Sequence, residues 1–428
     1  MGGRALHAVN ERGGVIVAGG GIGGLAAALS VSRAGWNARV YEKADAFHEA
    51  GAGVQLGPNA VQVLHGWGLA GALAQVAAFP DRLRVLSALS GHELGVLPLG
   101  EAMLKKYGAP YATVHRADLH GVLLQAVRGQ GNIWLKLRTA VAAYADSGRK
   151  ITLTTRAAAP GAEIEGDALI GADGLWSRVR ELMLNDGPPR NTGHMAYRAL
   201  VSQAGLPERL RSQQVTAWLG PGMHAVQYPV CGGEKLNVVV IVRRKAKGDA
   251  QSELQGWDYE ANAADLRSAI AFSAAPLREL IEAVSDGASV SAPAWRLWAL
   301  CDRPPMTGPH QHARGCVALL GDAAHPMLPY LAQGAGMAIE DAAELGATLA
   351  QARDPAFDVP TLLQRYALNR WQRNARVQAR SLRNGEVFHA GGLVRWGRNS
   401  AMKLLGRRLL DLPWLYGANA SDRNMLSK

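Results

Sequence analysis

The sequence predicts an α/β protein: a parallel sheet of the dinucleotide-binding kind, an inserted mixed-sheet domain and a helical C-terminus. Three observations predict it. An apolar run at 14–18 opens into Gly19-Gly20-Gly21-Ile22-Gly23-Gly24 and then a helical segment. A second apolar run, Ala168-Leu169-Ile170-Gly171, ends in Ala172-Asp173-Gly174, and a third at 316–320 ends in Gly321-Asp322. Between the last two, from about 185 to 299, the pattern changes to alternating strand-like segments.

Each element follows from local pattern. Short apolar runs that open into glycines read as buried parallel strands. Residues 14–18 form one such strand, 25–33 a helix ended near Gly35, and 38–42 the next strand, which together make a βαβ unit. A helix is expected at 116–128, and strands at 133–137 and 151–155, the last after the turn Asp146-Ser147-Gly148. Strands at 215–218 and 236–242 and a helical part at 263–283 belong to the changed region. The first fold resumes with a strand at 316–320 and a helix at 334–352. The remainder reads as helical, with Trp371, Trp396 and Trp414 as packing anchors. The expected division is 13–78, 107–182 and 312–365 for the cofactor domain, 79–106 and 183–311 for the substrate domain, and 366–428 for the C-terminal region.

Composition narrows the class. With 428 residues the chain has room for two domains, and 48% hydrophobic with 19% charged is ordinary for a globular protein. No apolar run approaches the ~20 residues that span a bilayer, and the polar, glycine-rich segment 1–14 lacks the apolar core of a signal peptide. It reads as a disordered tail on a cytoplasmic protein. The net charge of +11 is spread along the chain, so it favours anionic small ligands over nucleic acid, for which there is no reading helix. The densest basic stretch is Arg365, Arg370, Arg373, Arg376, Arg380 and Arg383, whose spacing reads as one solvated helix face. Cys231, Cys301 and Cys316 lack metal or redox spacing and read as buried free thiols, with no metal expected.

The glycines carry chemistry. Gly19 permits the tight turn, Gly21 lets a pyrophosphate approach the backbone, and Gly24 lets the helix pack on the strand. The helix N-terminus then offers free N–H groups to phosphate. Glu42, at the end of the second strand, is placed to bond ribose hydroxyls. A single such motif and no redox cysteine pair argue against a two-dinucleotide disulfide reductase.

In order and spacing, these motifs resemble the FAD-dependent aromatic hydroxylases, the single-component flavoprotein monooxygenases of para-hydroxybenzoate hydroxylase type. The resemblance runs from about residue 15 to 350. It implies FAD as cofactor, NADH or NADPH as a transient donor, dioxygen, a flavin C4a-hydroperoxide and a small aromatic substrate. It also implies that Asp173, with Ser177 and Arg180, lies near the cofactor pyrophosphate, with holding the loop as Asp173's other reading. Asp322 would meet the ribityl chain, and Gly334, Ala335 and Gly336 would aim a helix N-terminus at the flavin. Arg116 would face the phosphates, with a surface arginine as the other reading. Gln55 and Asn59 match a loop near the flavin, where Gln55 is equally a plain turn residue. Family members often read Pro-x-x-Gly-Gln-Gly where this chain has Pro329-Tyr330-Leu331-Ala332-Gln333-Gly334, so Ala332 replaces a glycine. His325 belongs to the motif and reads as structural.

On the substrate side, Gly222-Met223-His224-Ala225-Val226-Gln227-Tyr228-Pro229 resembles the 3-hydroxybenzoate and salicylate hydroxylase branch. Positions 224, 226 and 228 of a strand share one face. His224 is expected to accept the phenol proton and Tyr228 to contact the ring; a satisfied core histidine beside a packing tyrosine is the other reading. Pro329, Gln227 and Arg198 are assigned to the pocket, Arg198 to meet a carboxylate or else a surface salt bridge. The para-hydroxylating 3-hydroxybenzoate enzymes can carry Gln where Pro329 stands, and this Pro looks more like the salicylate-type loop, so the position hydroxylated stays open. The Trp414-Leu415-Tyr416-Gly417 tail reads as packing or as contact in a homodimer. Hydroxylation of a hydroxynicotinate or quinolone, or a non-hydroxylating FAD-binding redox or interaction protein, are the rival readings.

Overall fold

The computed structural model describes residues 14–47, 52–156, 163–243, 259–261, 263–286, 295–353 and 358–417. Residues 1–13, most of the expected tail, lie outside them.

A six-stranded sheet forms the first layer, in the order Ala313–Arg314, Val317–Leu319, Ala168–Gly171, Val15–Ala18, Ala38–Tyr41, Ile133–Lys136. Every pairing is parallel except the one at the short edge strand Ala313–Arg314. Side chains of a strand alternate between faces. Val15 and Val17 therefore join helices Ile22–Arg33, Arg116–Arg128 and Gly334–Leu349, while Ile16 and Ala18 face Ile151, Leu153 and Val179 on the other side. With both faces covered, the strand must be apolar at every position, and all four of its residues are fully buried.

The second layer is an eight-stranded sheet, ordered Tyr259–Glu260, Arg296–Asp302, Arg190–Ser202, Lys235–Arg243, Met223–Val230, Val215–Gly220, Arg82–Ser87, Glu93–Pro98. Helices Ala263–Ile270 and Ala275–Asp286 cover one face through Leu266, Ile270, Leu277 and Ile281. The sequence suggested one helical stretch here. Pro276 divides it, because proline is tolerated in a first turn but breaks a helix interior. The other face of this sheet borders the cavity described below.

Two C-terminal expectations are corrected. Trp396 is 71% exposed, because helix Gly392–Leu405 buries only Arg398 and Met402. The basic residues of helix Val359–Phe388 are not one solvated face. Arg370 lies at the edge of that arc and is buried, bonding Asp341 at 2.7 Å and Glu340 at 2.9 Å. Arg373 also bonds Glu340, at 2.6 Å. Asp341 accepts from Gly321 N and pairs with His325, so this buried network fixes the turn at Asp322. Burial alone would raise the Asp341 carboxyl, but His325 and Arg370 outweigh it and hold it well below its ordinary value. Breaking a buried pair strands its partner charge. Arg370→Met is expected to cost roughly 3–5 kcal/mol, measured as a lower denaturation midpoint at unchanged slope.

Candidate active site

One cavity of about 610 Å³ joins the C-terminal end of the parallel sheet to the open face of the second sheet. At its first end lie Gly19, Gly20, Gly21, Glu42, Arg116, Asp173, Asp322, Gln333, Gly334 and Ala335. Gly19 has φ +105°, and a Cβ there would stand 2.4 Å from the Ala172 carbonyl. A Cβ on Gly24 would stand 1.9 Å from the Gly19 carbonyl. The glycines are thus required by backbone contact. Glu42 is held in place by accepting from Gly20 N at 2.7 Å and Ala44 N at 2.9 Å.

Two helices begin at this end. Ile22–Arg33 and Gly334–Leu349 have no side-chain cap and no acidic residue in the first turn. Their leading N–H groups are left for an outside acceptor. Asn59 is buried and donates to Gln333 at 3.0 Å and Glu340 at 2.6 Å, which fixes the second helix start. Asp322 is half-buried and has no hydrogen-bond partner among the described residues. A backbone cradle, two open helix starts and an unengaged carboxylate fit the diphosphate and polyol of a dinucleotide.

Not every expected residue reaches the cavity. Gly24 and Gly336 do not line it: Gly24 serves packing, and Gly336 lies against Gln333 and Ala60. Asp173 lines it, but its carboxylate accepts from Ser177 Oγ at 2.5 Å and from Arg178 N at 2.7 Å. It caps helix Arg178–Leu184. Arg180 donates to the carbonyls of Ala323 at 3.1 Å and Ala324 at 2.5 Å, tying the second motif to the third. Ala332, standing where a glycine is frequent, keeps a left-handed φ of +52°. Ala332→Gly is expected to be neutral or to stabilise by up to ~1 kcal/mol, read from the thermal midpoint.

At the second end, His224, Val226 and Tyr228 face the cavity with Val239, Ile241, Trp298, Leu300 and Arg198. Pro329 stands exposed at its edge. Gln227 does not belong to the pocket. Strand alternation turns it to the opposite face, where it accepts from Trp218 at 3.4 Å. Tyr228 packs onto Gly53, where any Cβ would stand 2.9 Å from its hydroxyl. Gln55 lies beside that hydroxyl and accepts from Tyr111 at 2.8 Å.

The electrostatics of this end are unusual. The Arg198 guanidinium lies 3.8 Å over the Trp298 ring, forms no ion pair among the described residues, and leaves a buried Nε unpartnered. Burial, helped by Arg116, pushes its pKa down to about 10. His224 is 5% exposed, and burial, then His389 and His194, hold it well below the usual histidine value. It is a neutral base at neutral pH.

Sequence reasoning missed Tyr330, Phe388 and His389, which enclose His224 at ring separations of 5.0, 5.6 and 5.0 Å. Only the position of Tyr330 next to Pro329 hinted at one of them.

Comparison with known proteins matches residues 12–296 and 304–391 to the family described as FAD binding domain. The 3-hydroxybenzoate 6-hydroxylase of Polaromonas naphthalenivorans is 37% identical over 95% of this chain and 96% of its own. Among solved structures, a salicylate hydroxylase substrate complex is similar with TM-score 0.75, at 27% identity over 94% of each chain. HpxO of Klebsiella pneumoniae, complexed with FAD and uric acid, is similar with TM-score 0.77, at 25% identity over 95% of this chain and 97% of that one.

Proposed function

Because this chain belongs to the FAD-dependent aromatic-ring monooxygenases, we propose that it hydroxylates a small phenolic acid of the 3-hydroxybenzoate or salicylate type. One observation carries this: His224, Tyr228 and Arg198 line the same cavity as the dinucleotide cradle. FAD, reduced by NADH or NADPH, supplies the chemistry that activates dioxygen.

The chain's own residues hold and prepare. Asp322 and the helix starts at Ile22 and Gly334 hold the cofactor, with Glu42 and Arg116 beside them. Arg198 receives the substrate carboxylate, which relieves its uncompensated burial. His224 accepts the phenol proton, and the electron-rich phenolate is the better nucleophile. Tyr228, Val226, Ile241 and Trp298 pack on the ring and keep water out.

The domain boundaries given above remain part of the proposal. They are supported by the second sheet, whose strands come from 82–98 and 190–302. A homodimer is included, supported by the exposure of Leu393 at 88% and Leu404 at 84% beside Trp396. A cytoplasmic location is included, supported by three free thiols. No helix among the described residues is long and apolar enough to cross a membrane.

The test is consumption of NADH and NADPH by the FAD-loaded protein across a panel of phenolic acids. Stimulation by hydroxybenzoates above hydroxynicotinates and quinolones is expected, and the reverse order would move the substrate to those rings. Asp322→Ala is expected to lose most of its FAD on gel filtration. A fully loaded variant would contradict its assignment.

A further inference from the structure

Helix Ile22–Arg33 is entered through three consecutive glycines, Gly19-Gly20-Gly21, and a glycine backbone can turn its peptide planes at little steric cost. Such a loop presents N–H groups to an anion only if something fixes those planes. The Gly20 N–H is held by Glu42 at 2.7 Å. The Gly20 carbonyl is held by a different element. His120 lies one turn after Arg116 on helix Arg116–Arg128, and its Nε2 stands 2.8 Å from the Gly20 oxygen. A carbonyl only accepts, so Nε2 carries the hydrogen and donates it.

Peptide geometry gives this bond a consequence. In a trans peptide the C=O and the following N–H point to opposite sides. Gly20 and Gly21 line the cavity, and His120 does not. With the Gly20 oxygen drawn back to His120, the Gly21 N–H is turned toward the cavity. That N–H has no hydrogen-bond partner among the described residues, while the Gly21 carbonyl already accepts from Leu25 N at 2.9 Å. In the flipped peptide the Gly20 oxygen would face the cavity instead and repel an anion there.

The surroundings hold the bond dry. His120 is 4% exposed. The Phe47 ring lies 6.5 Å from its imidazole, tilted by 33°, and a Cβ on Gly20 would stand 2.5 Å from the same ring. Removing the donor would therefore strand a carbonyl where water does not readily replace it.

We propose that His120 is a positioning residue that locks the Gly20–Gly21 peptide with the Gly21 N–H aimed at the cofactor diphosphate. This rests on the reading of the glycine loop as the FAD cradle. His120 acts through the backbone and not by touching the cofactor.

The test uses the FAD-loaded enzyme. FAD release after dilution is followed by the rise of flavin fluorescence, and the diphosphate is read by its phosphorus resonances in the bound state. His120→Leu keeps apolar bulk without a donor, and release is expected to quicken by roughly 10–100-fold. Its two phosphorus resonances should shift while the visible spectrum of the flavin ring stays as in wild type. In His120→Gln the amide nitrogen falls near the place of Nε2 and should restore both readouts, whereas the shorter amide of His120→Asn should not. The Gln and Asn pair carries the comparison should the leucine variant fold poorly. Release and phosphorus resonances in His120→Leu or His120→Asn matching wild type overturn the positioning role alone. Gln and Asn variants equally impaired reduce His120 to packing and overturn it too. A wild-type protein that holds no FAD overturns the reading of the cradle and the proposal with it.

Discussion

His224→Ala is expected to lower the rate of hydroxylation by roughly 10²–10⁴-fold, the usual worth of a positioned acid–base group, while FAD stays bound. The residue touches no part of the dinucleotide end, so cofactor content and flavin reduction should fall far less than hydroxylation. Burial disfavours its charged form in the free enzyme, but a phenolate formed beside it supplies the missing counter-charge. The pH dependence has a definite sign. A histidine held below about 6.5 stays bare through neutral pH, so the acid limb of kcat/KM belonging to it should lie below that value. The same burial makes folding pH-sensitive. Unfolded histidines bind protons that His224, His194 and His389 refuse, so stability is full above about 6.5 and declines as pH falls toward the folded values. Equal losses in flavin reduction and hydroxylation would contradict the role.

Arg198→Met removes the cation and keeps much of the stem. A buried charge-assisted pair lost from one side is worth roughly 2–4 kcal/mol, so Kd for a hydroxybenzoate should rise roughly 30–900-fold. The matching hydroxybenzamide, with no carboxylate, should bind both proteins about equally. The variant should fold well, since methionine beside Trp298 leaves no stranded charge. An equal effect on acid and amide would assign Arg198 to packing. Binding is read directly by perturbation of the bound flavin's spectrum.

The parts of this molecule that were legible in its sequence are those governed by local rules. The glycine turns at Gly19 and Gly321, the apolar strands behind them and the helix after Gly334 each follow from a few adjacent residues. Period-two alternation put His224 and Tyr228 on one face, and the same rule excludes Gln227, which was assigned to the pocket in spite of it. The rest depends on chain crossings. His389 meets His224 because a thirty-residue helix returns its end to the second sheet. Arg370 reads as a surface charge until Glu340 and Asp341 are seen beneath it. Asp173 reads as a cofactor ligand until its oxygens are found capping a helix. For His389 and Arg370 the deciding partner is remote in sequence, and spacing along the chain carries no trace of it, whereas the partners of Asp173 lie only four and five residues on, at Ser177 and Arg178.

The central claim is ring hydroxylation with an atom from dioxygen. It is tested most directly by turning over 3-hydroxybenzoate and salicylate with NADH or NADPH under isotopically labelled dioxygen and weighing the product. A hydroxylated ring carrying one labelled oxygen, formed in step with nicotinamide consumed, is predicted. Nicotinamide oxidation that yields only labelled hydrogen peroxide with every phenolic acid would contradict it.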